Sequence, residues 1–501
     1  MSGLFQPIAA EQLFAWAFRE LETRDSVFGI PRCHFFVPGA DERFATTAFG
    51  QRIGTPFGPA AGPHTQMAQN IVAAWLCGAR YIELKTVQTL DELDVSKPCI
   101  DMQDEGYNVE WSQELKIHES LEEYARAWVL IHALHTKLGF PGESPDVVFN
   151  LSVGYDLEGI RQPNVQWFLD EAQDAGARVD KLLERLESQY ADAHRLAVPR
   201  RLSDNVTLST MHGCPPGEIE SISAYLLQER GLHTLVKCNP TLLGAARLRG
   251  ILHDELGYAD VVVPDAAFEH DLGYDDAVPM LRNLREVANN CGLEFGVKLS
   301  NTLEVENQRT VFDTNEKTMY LSGRPLHAIT VNLASKLDDD FDGDLLMSFS
   351  AGANCFNGPD LLASGMQTVT SCSDLLKTGG YLRMLQYVEC LDEAIDNVGA
   401  NTLAGFRKAS NWSIGDYARH VVKDPMYAKS TFDTAHTKMQ RPLGNFDCIK
   451  PPCVDECPIS QQVPKYMRAV RDGNDAAAVE IVREDNPLPC VLGRVCDHLC
   501  E

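Results

Sequence analysis

Six of the chain's fifteen cysteines crowd into its last stretch. They fall at Cys448, Cys453 and Cys457, the last followed by Pro458, and then at Cys490, Cys496 and Cys500. Thiolates at such short spacing can hold iron–sulfur clusters, which pass electrons singly. A zinc site would call for paired C-x2-C knuckles, and the sequence has none there. A second group of chemistry-bearing residues lies upstream, each at the end of a short apolar run. Lys85-Thr86, Lys237, Asn301-Thr302, Ser350-Ala351-Gly352 and Thr370-Ser371 all follow this rule. Two ammonium groups, amides, hydroxyls and small residues on one rim suit an anion or an electron-rich ring.

The elements that must position them alternate regularly. Apolar runs at Phe57–Ala61, Tyr81–Val87, Val147–Leu151, Val206–Ser209, Thr234–Lys237, Leu293–Leu299, Leu345–Phe349 and Met366–Val369 are separated by helix-length stretches. Such alternation predicts parallel strands with crossover helices, and eight of them predict a (β/α)8 TIM barrel, whose chemistry sits at the strand ends. One crossover helix is expected over Val165–Leu196 and an amphipathic helix over residues 9–24. No G-x-G-x-x-G follows a strand, which argues against a dinucleotide-binding doubly wound sheet. Asp338 to Gly343 imitates the start of a calcium loop. However, Phe349 stands where a bidentate Glu is needed, so an acidic turn is expected.

Composition narrows the partners. The 501 residues carry a formal charge of −27, which repels nucleic acid and anionic membrane. No run approaches the length of a membrane span, and Met1 to Glu20 show no secretory pattern, so a cytoplasmic protein with reduced cysteines is expected. Four segments are predicted: an N-terminal helical extension over 1–50, a barrel over 51–424, a linker over 425–447 and an α-helical domain over 448–501.

The rim motifs resemble the FMN barrel of dihydroorotate and dihydropyrimidine dehydrogenases, in collinear order from about residue 50 to 390. Phe57-Gly58-Pro59-Ala60-Ala61-Gly62 looks like their first flavin segment, and Leu84-Lys85-Thr86 like the second. Lys237 falls where the family has its flavin lysine. Leu321-Ser322-Gly323 and Ser350-Ala351-Gly352 look like the turns that hold the FMN phosphate, and Val369-Thr370-Ser371 like the last-strand segment. The resemblance implies FMN contacts at Ala60, Ala61, Lys85, Thr86, Lys237, Gly323, Ala351, Gly352, Thr370 and Ser371. It implies substrate contacts at Asn108, Glu110, Asn301 and Thr302, which can read a lactam ring. The family's acid is a cysteine after the fourth strand. Here Cys214 lies in that loop, two residues past the aligned slot, which His212 occupies; either could deliver a proton.

The tail resembles the helical module with two [4Fe–4S] clusters shared by dihydropyrimidine dehydrogenase and the glutamate synthase small subunit. That resemblance implies ligands at Cys448, Cys453, Cys457, Cys490, Cys496 and Cys500. Asn445 replaces the family's first cysteine, and Cys490 is an extra one that could take its place. FAD and NAD(P)H are then expected through a domain beyond residue 501 or a partner subunit, and a homodimer is allowed. A flavin barrel placed before this module also resembles bacterial proteins labelled selenate reductase subunits. The activity implied is reduction of a pyrimidine- or purine-like ring. The competing expectation is an electron-transfer subunit without substrate chemistry.

Overall fold

A computed structural model describes residues 5–39, 42–91, 99–108, 113–209, 213–308, 312–377, 379–410, 412–429 and 451–496. The predicted strands are β1 (Phe57–Pro59), β2 (Tyr81–Glu83), β3 (Val148–Val153), β4 (Asn205–Leu208), β5 (His233–Cys238), β6 (Phe295–Leu299), β7 (Leu346–Phe349) and β8 (Thr368–Ser371). From β2 to β8 each pairs in parallel with the next, and β8 returns to β1 with Val369 opposite Phe57. The seam between β1 and β2 is drawn shut by the Arg80 N–H, which donates to Phe57 O at 2.9 Å. Glycine is required at this seam. A Cβ on Gly58 would lie 1.6 Å from the Tyr81 carbonyl oxygen. The result is a near-closed TIM barrel.

Side chains alternate along each strand with a period of two. Phe57, Ile82, Phe149, Leu151, Val206, Val236, Val297, Phe349 and Val369 belong to one large apolar cluster shared with the surrounding helices. The opposite faces fill the barrel in two layers. Tyr81, Val148, Leu235 and Leu346 pack on Ala48, Phe49 and Ile53, from the hairpin of Thr46–Ala48 and Gln51–Ile53. Above this apolar plug, the same faces turn polar, with Glu83, Asn150, Thr207, Lys298, Ser348, Thr368 and Thr370 all buried. Inward-facing residues of a TIM barrel usually form layers dominated by branched apolar side chains. The polar layer here departs from that habit.

The N-terminal helix Ala10–Arg24 sends Leu13, Phe14, Ala17 and Phe18 into the large outer cluster. The expected helix over Val165–Leu196 is two helices, Pro163–Gln173 and Gly176–Leu186, followed by a short 3-10 turn. The break has a cause: the Ala175 N–H turns away to Arg200 O at 2.8 Å. The acidic run from Asp338 closes the helix Arg324–Asp340 and leads into β7, as a turn.

A four-stranded sheet was not anticipated. It orders Leu303–Glu306, Thr318–Leu321, Ile100–Asp101 and Tyr107–Asn108, built from segments that follow β2 and β6. Strands of two to four residues carry too little alternation to be read from a sequence.

The chain divides into two compact units, Met1–Met102 with Tyr107–Ala428, and Gln103–Gly106 with Lys429–Glu501. The second is helical where described: Pro452–Asp455, Val463–Arg471, Asp475–Asp485 and Pro489–Val495. Asn474 caps the third of these, its Oδ1 accepting from Ala477 N at 3.1 Å. Among the described residues, no helix is long and apolar enough to cross a membrane.

Candidate functional site

A cavity of about 380 Å³ opens where the barrel strands end. Each wall comes from a different element. The turn after β1 contributes Ala60, Ala61 and Gly62, and the segment after β2 contributes Lys85 and Thr86. Lys237 enters from β5, Asn301 and Thr302 from the loop after β6, and Ala351 from the loop after β7. The unanticipated sheet adds Asn108, Ile100 and Tyr320. Nine residues singled out from the sequence therefore meet in one space: Ala60, Ala61, Lys85, Thr86, Asn108, Lys237, Asn301, Thr302 and Ala351.

Others stand behind the wall. Gly352 adopts φ +58°, and a Cβ there would sit 2.5 Å from Gly323 O. The two glycine turns thus touch backbone to backbone, directly behind Ala351 and Ser322, which do line the cavity. Ser322 and Ser373 share a hydrogen bond of 2.8 Å across the same corner. Thr370 faces the barrel interior, and Ser371 is buried, its hydroxyl donating to Ala353 O at 3.1 Å. Neither side chain is at the cavity wall. Cys214 is also set apart. It lines a small neighbouring cleft with Cys238, Asn239 and Asp271, which shares only Lys237 with the main cavity. His212 and Glu110 lie outside the described residues.

Beneath the cavity, the interior polar layer holds an ion pair. Lys298 Nζ donates to Glu83 Oε1, to Thr370 Oγ1 at 2.6 Å and to Ser348 Oγ at 3.2 Å. The Thr370 hydroxyl donates to Glu83 at 2.9 Å. The other carboxylate oxygen accepts from the Ala61 N–H at 3.4 Å, which ties the pair to the cavity lining. Lys237 lies opposite Lys298 in the β5–β6 register. The Lys237 ammonium is pushed down to about 8, first by burial and also by Lys85 and Lys298, against the opposing pull of Glu83 and Cys372. Burial likewise lowers Lys298, opposed by Glu83. His64 is held at about 4, first by burial. It is therefore neutral, and its Nε2–H donates to Cys372 O at 3.0 Å, pinning the loop after β1 to the loop after β8.

Sequence reasoning missed Glu83, Lys298, Gln88 and Cys372. The signal for the first two was present: a charged residue in the middle of an apolar strand run. Such a residue must face either bulk water or a polar interior.

The cavity fits FMN. Ser322, Ser350 and Ala351 give one corner small and hydroxyl-bearing residues that suit a phosphate, and the ammonium groups of Lys85 and Lys237 line the same space. In the second unit, Cys453 and Cys457 are half-buried thiols, while Cys490 and Cys496 are exposed. Their donor chemistry fits iron–sulfur ligation. Among the described residues no three metal-ligating side chains are gathered together, and Cys448 and Cys500 lie outside them.

Comparison with known proteins agrees with this division. Residues 421–501 match the family model for dihydropyrimidine dehydrogenase domain II, 4Fe-4S cluster. The oxidoreductase YgfK of Escherichia coli (strain K12) is 39% identical over 526 residues, covering 100% of this chain and 49% of that protein. The chain thus spans about half the length of the curated relatives it matches over its whole course. The glutamate synthase [NADPH] small chain of Halomonas elongata is 41% identical over 56 residues, covering 11% of this chain and 12% of that one. Among solved structures, a ligand-free dihydroorotate dehydrogenase from Eimeria tenella is similar with a TM-score of 0.47 and 13% identity, covering 80% of this chain and 98% of that one. Residues 28–429 match the family model "Oxidoreductase YgfK, N-terminal TIM-barrel domain", and the chain belongs to that family.

Proposed function

We propose that the chain is an oxidoreductase whose barrel holds FMN and reduces a C=C or C=N bond of a pyrimidine- or purine-like ring. Electrons would come from NAD(P)H through FAD, on a further domain or a partner, and through [4Fe–4S] clusters on the cysteines between Cys448 and Cys500. The observation that carries this reading is convergence. Lys85, Lys237, Asn108, Asn301 and Thr302 come from separate elements and meet in one cavity.

Bound there, FMN would supply both one-electron and hydride chemistry. Lys85 and Lys237 would stabilise negative charge on a ring held between them. Asn108, Asn301, Thr302 and Glu110 would orient the substrate through its alternating donors and acceptors. Cys214 or His212, on the loop after β4, would give a proton to the reduced ring. Burial, then Glu218 and Asp156, push the Cys214 thiol up to about 11, so it keeps its proton at neutral pH.

The test is anaerobic reconstitution with FMN, followed by a screen of pyrimidines and oxidised purines with dithionite as donor. We expect a flavin spectrum and ring turnover, with Lys237→Met lowering FMN affinity at least tenfold. A chain that takes up no FMN overturns the reading. The tail's likeness to the small chain of glutamate synthase keeps one second reading in view, an electron-transfer subunit of a larger reductase. It would be favoured if Cys214→Ala and His212→Ala left every ring turnover unchanged while flavin reduction persisted.

A further inference from the structure

Gln88 lies three residues past Lys85 and lines the same cavity. Its backbone is firmly held: the N–H donates to Gln113 Oε1 at 2.9 Å. Gln113 is fully engaged in turn, its Nε2 donating to Leu115 O at 2.6 Å and to Asp91 Oδ1 at 3.3 Å. The same Asp91 oxygen accepts from Ile117 N at 2.6 Å, at the start of the helix Ile117–Leu138. A chain of hydrogen bonds therefore anchors this loop to the start of the helix Ile117–Leu138.

The side chain that this anchoring presents is left unfinished. Gln88 is 8% exposed, and among the described residues its buried Nε2 has no hydrogen-bond partner. A buried amide without a partner lowers stability, and an apolar side chain of similar length would avoid that loss. Among the described residues nothing in this loop pairs with that nitrogen. A ligand in the cavity would. An amide offers one acceptor and two donors, the complement of a lactam's N–H and C=O.

We propose that Gln88 is a specificity-determining residue of this cavity, pairing through its side-chain amide with the lactam edge of a ring ligand. The assignment rests on the ring-reduction reading and names one residue that would choose the ring.

The test compares wild type with Gln88→Met in the full chain, loaded with FMN. Xanthine and uracil serve as lactam probes in calorimetry, and unsubstituted purine as a ring without carbonyl groups. Losing a ligand partner is expected to weaken xanthine or uracil binding about tenfold or more. Purine binding should be unchanged. The Tm of the ligand-free variant should be equal to or above that of wild type, because the orphaned amide is gone. Undiminished lactam affinity in Gln88→Met overturns the assignment. So does a Tm several degrees lower, which would make Gln88 a structural residue. If neither lactam binds wild type, the ring-reduction reading falls together with the assignment; if wild type binds and the variant binds equally, Gln88 alone falls.

Discussion

Glu83 and Lys298 meet inside the barrel with side chains only 5% and 1% exposed. Breaking a buried ion pair from one side leaves an uncompensated charge and costs about 3–5 kcal/mol. Removing both partners together is often neutral. Glu83→Gln and Lys298→Met should each lower the unfolding free energy by that amount, and the double variant should regain most of it in urea titration. A loss in the double variant equal to the sum of the two single losses would count against the pair. The rim lysines were legible in the sequence because they stand at strand ends, where a TIM barrel keeps its chemistry. Lys298 was not, because a sequence shows a charge within a strand but not which layer of the barrel receives it. Cys214 stands in the loop that the sequence pointed to, and lines a neighbouring cleft rather than the main cavity.

Elements set the next level of constraint. The barrel's eight strands were readable because their outward faces, such as Phe149, Leu151 and Val153, are apolar and pack on helices. The sheet that brings Asn108 and Tyr320 to the cavity was not, because its strands are short and join segments about two hundred residues apart. At the β1–β2 seam, the space for one methyl group decides closure. Gly58→Ala would put its Cβ 1.6 Å from Tyr81 O. We expect a loss of about 3 kcal/mol or more, since the strands must part to admit it. Gly217, in the helix Pro216–Gln228, meets nothing within 4 Å, so Gly217→Ala should instead be neutral or stabilising by up to about 1 kcal/mol. Parallel thermal melts of the two variants make the comparison; equal shifts would argue against the seam.

For the barrel unit taken as a whole, four buried histidines, His64, His132, His135 and His327, are lowered by burial and contribute to the response to acid. Burial is the first cause in each, and His64, His132 and His327 all fall from 6.5 to about 4. The folded protein thus keeps them neutral where the unfolded chain takes up protons. Stability should be level above about pH 6.5 and fall as pH drops toward 4, each histidine contributing on the order of 1–3 kcal/mol. Denaturant midpoints at pH 7, 5.5 and 4.5 check this; a flat profile would refute it. His327 makes the loss local as well as global. One ring nitrogen pairs with Ala351 O at 2.9 Å and the other with the Tyr417 hydroxyl at 2.8 Å. Ala351 lines the cavity, so protonating His327 would disturb the cavity wall and the core together.

The charge hidden in the barrel also bears on descent. A lineage can carry both Glu83 and Lys298, or neither, at similar fitness. The single-charge ancestors between those states are the costly ones. The two positions are therefore expected to change together, although 215 residues of sequence separate them.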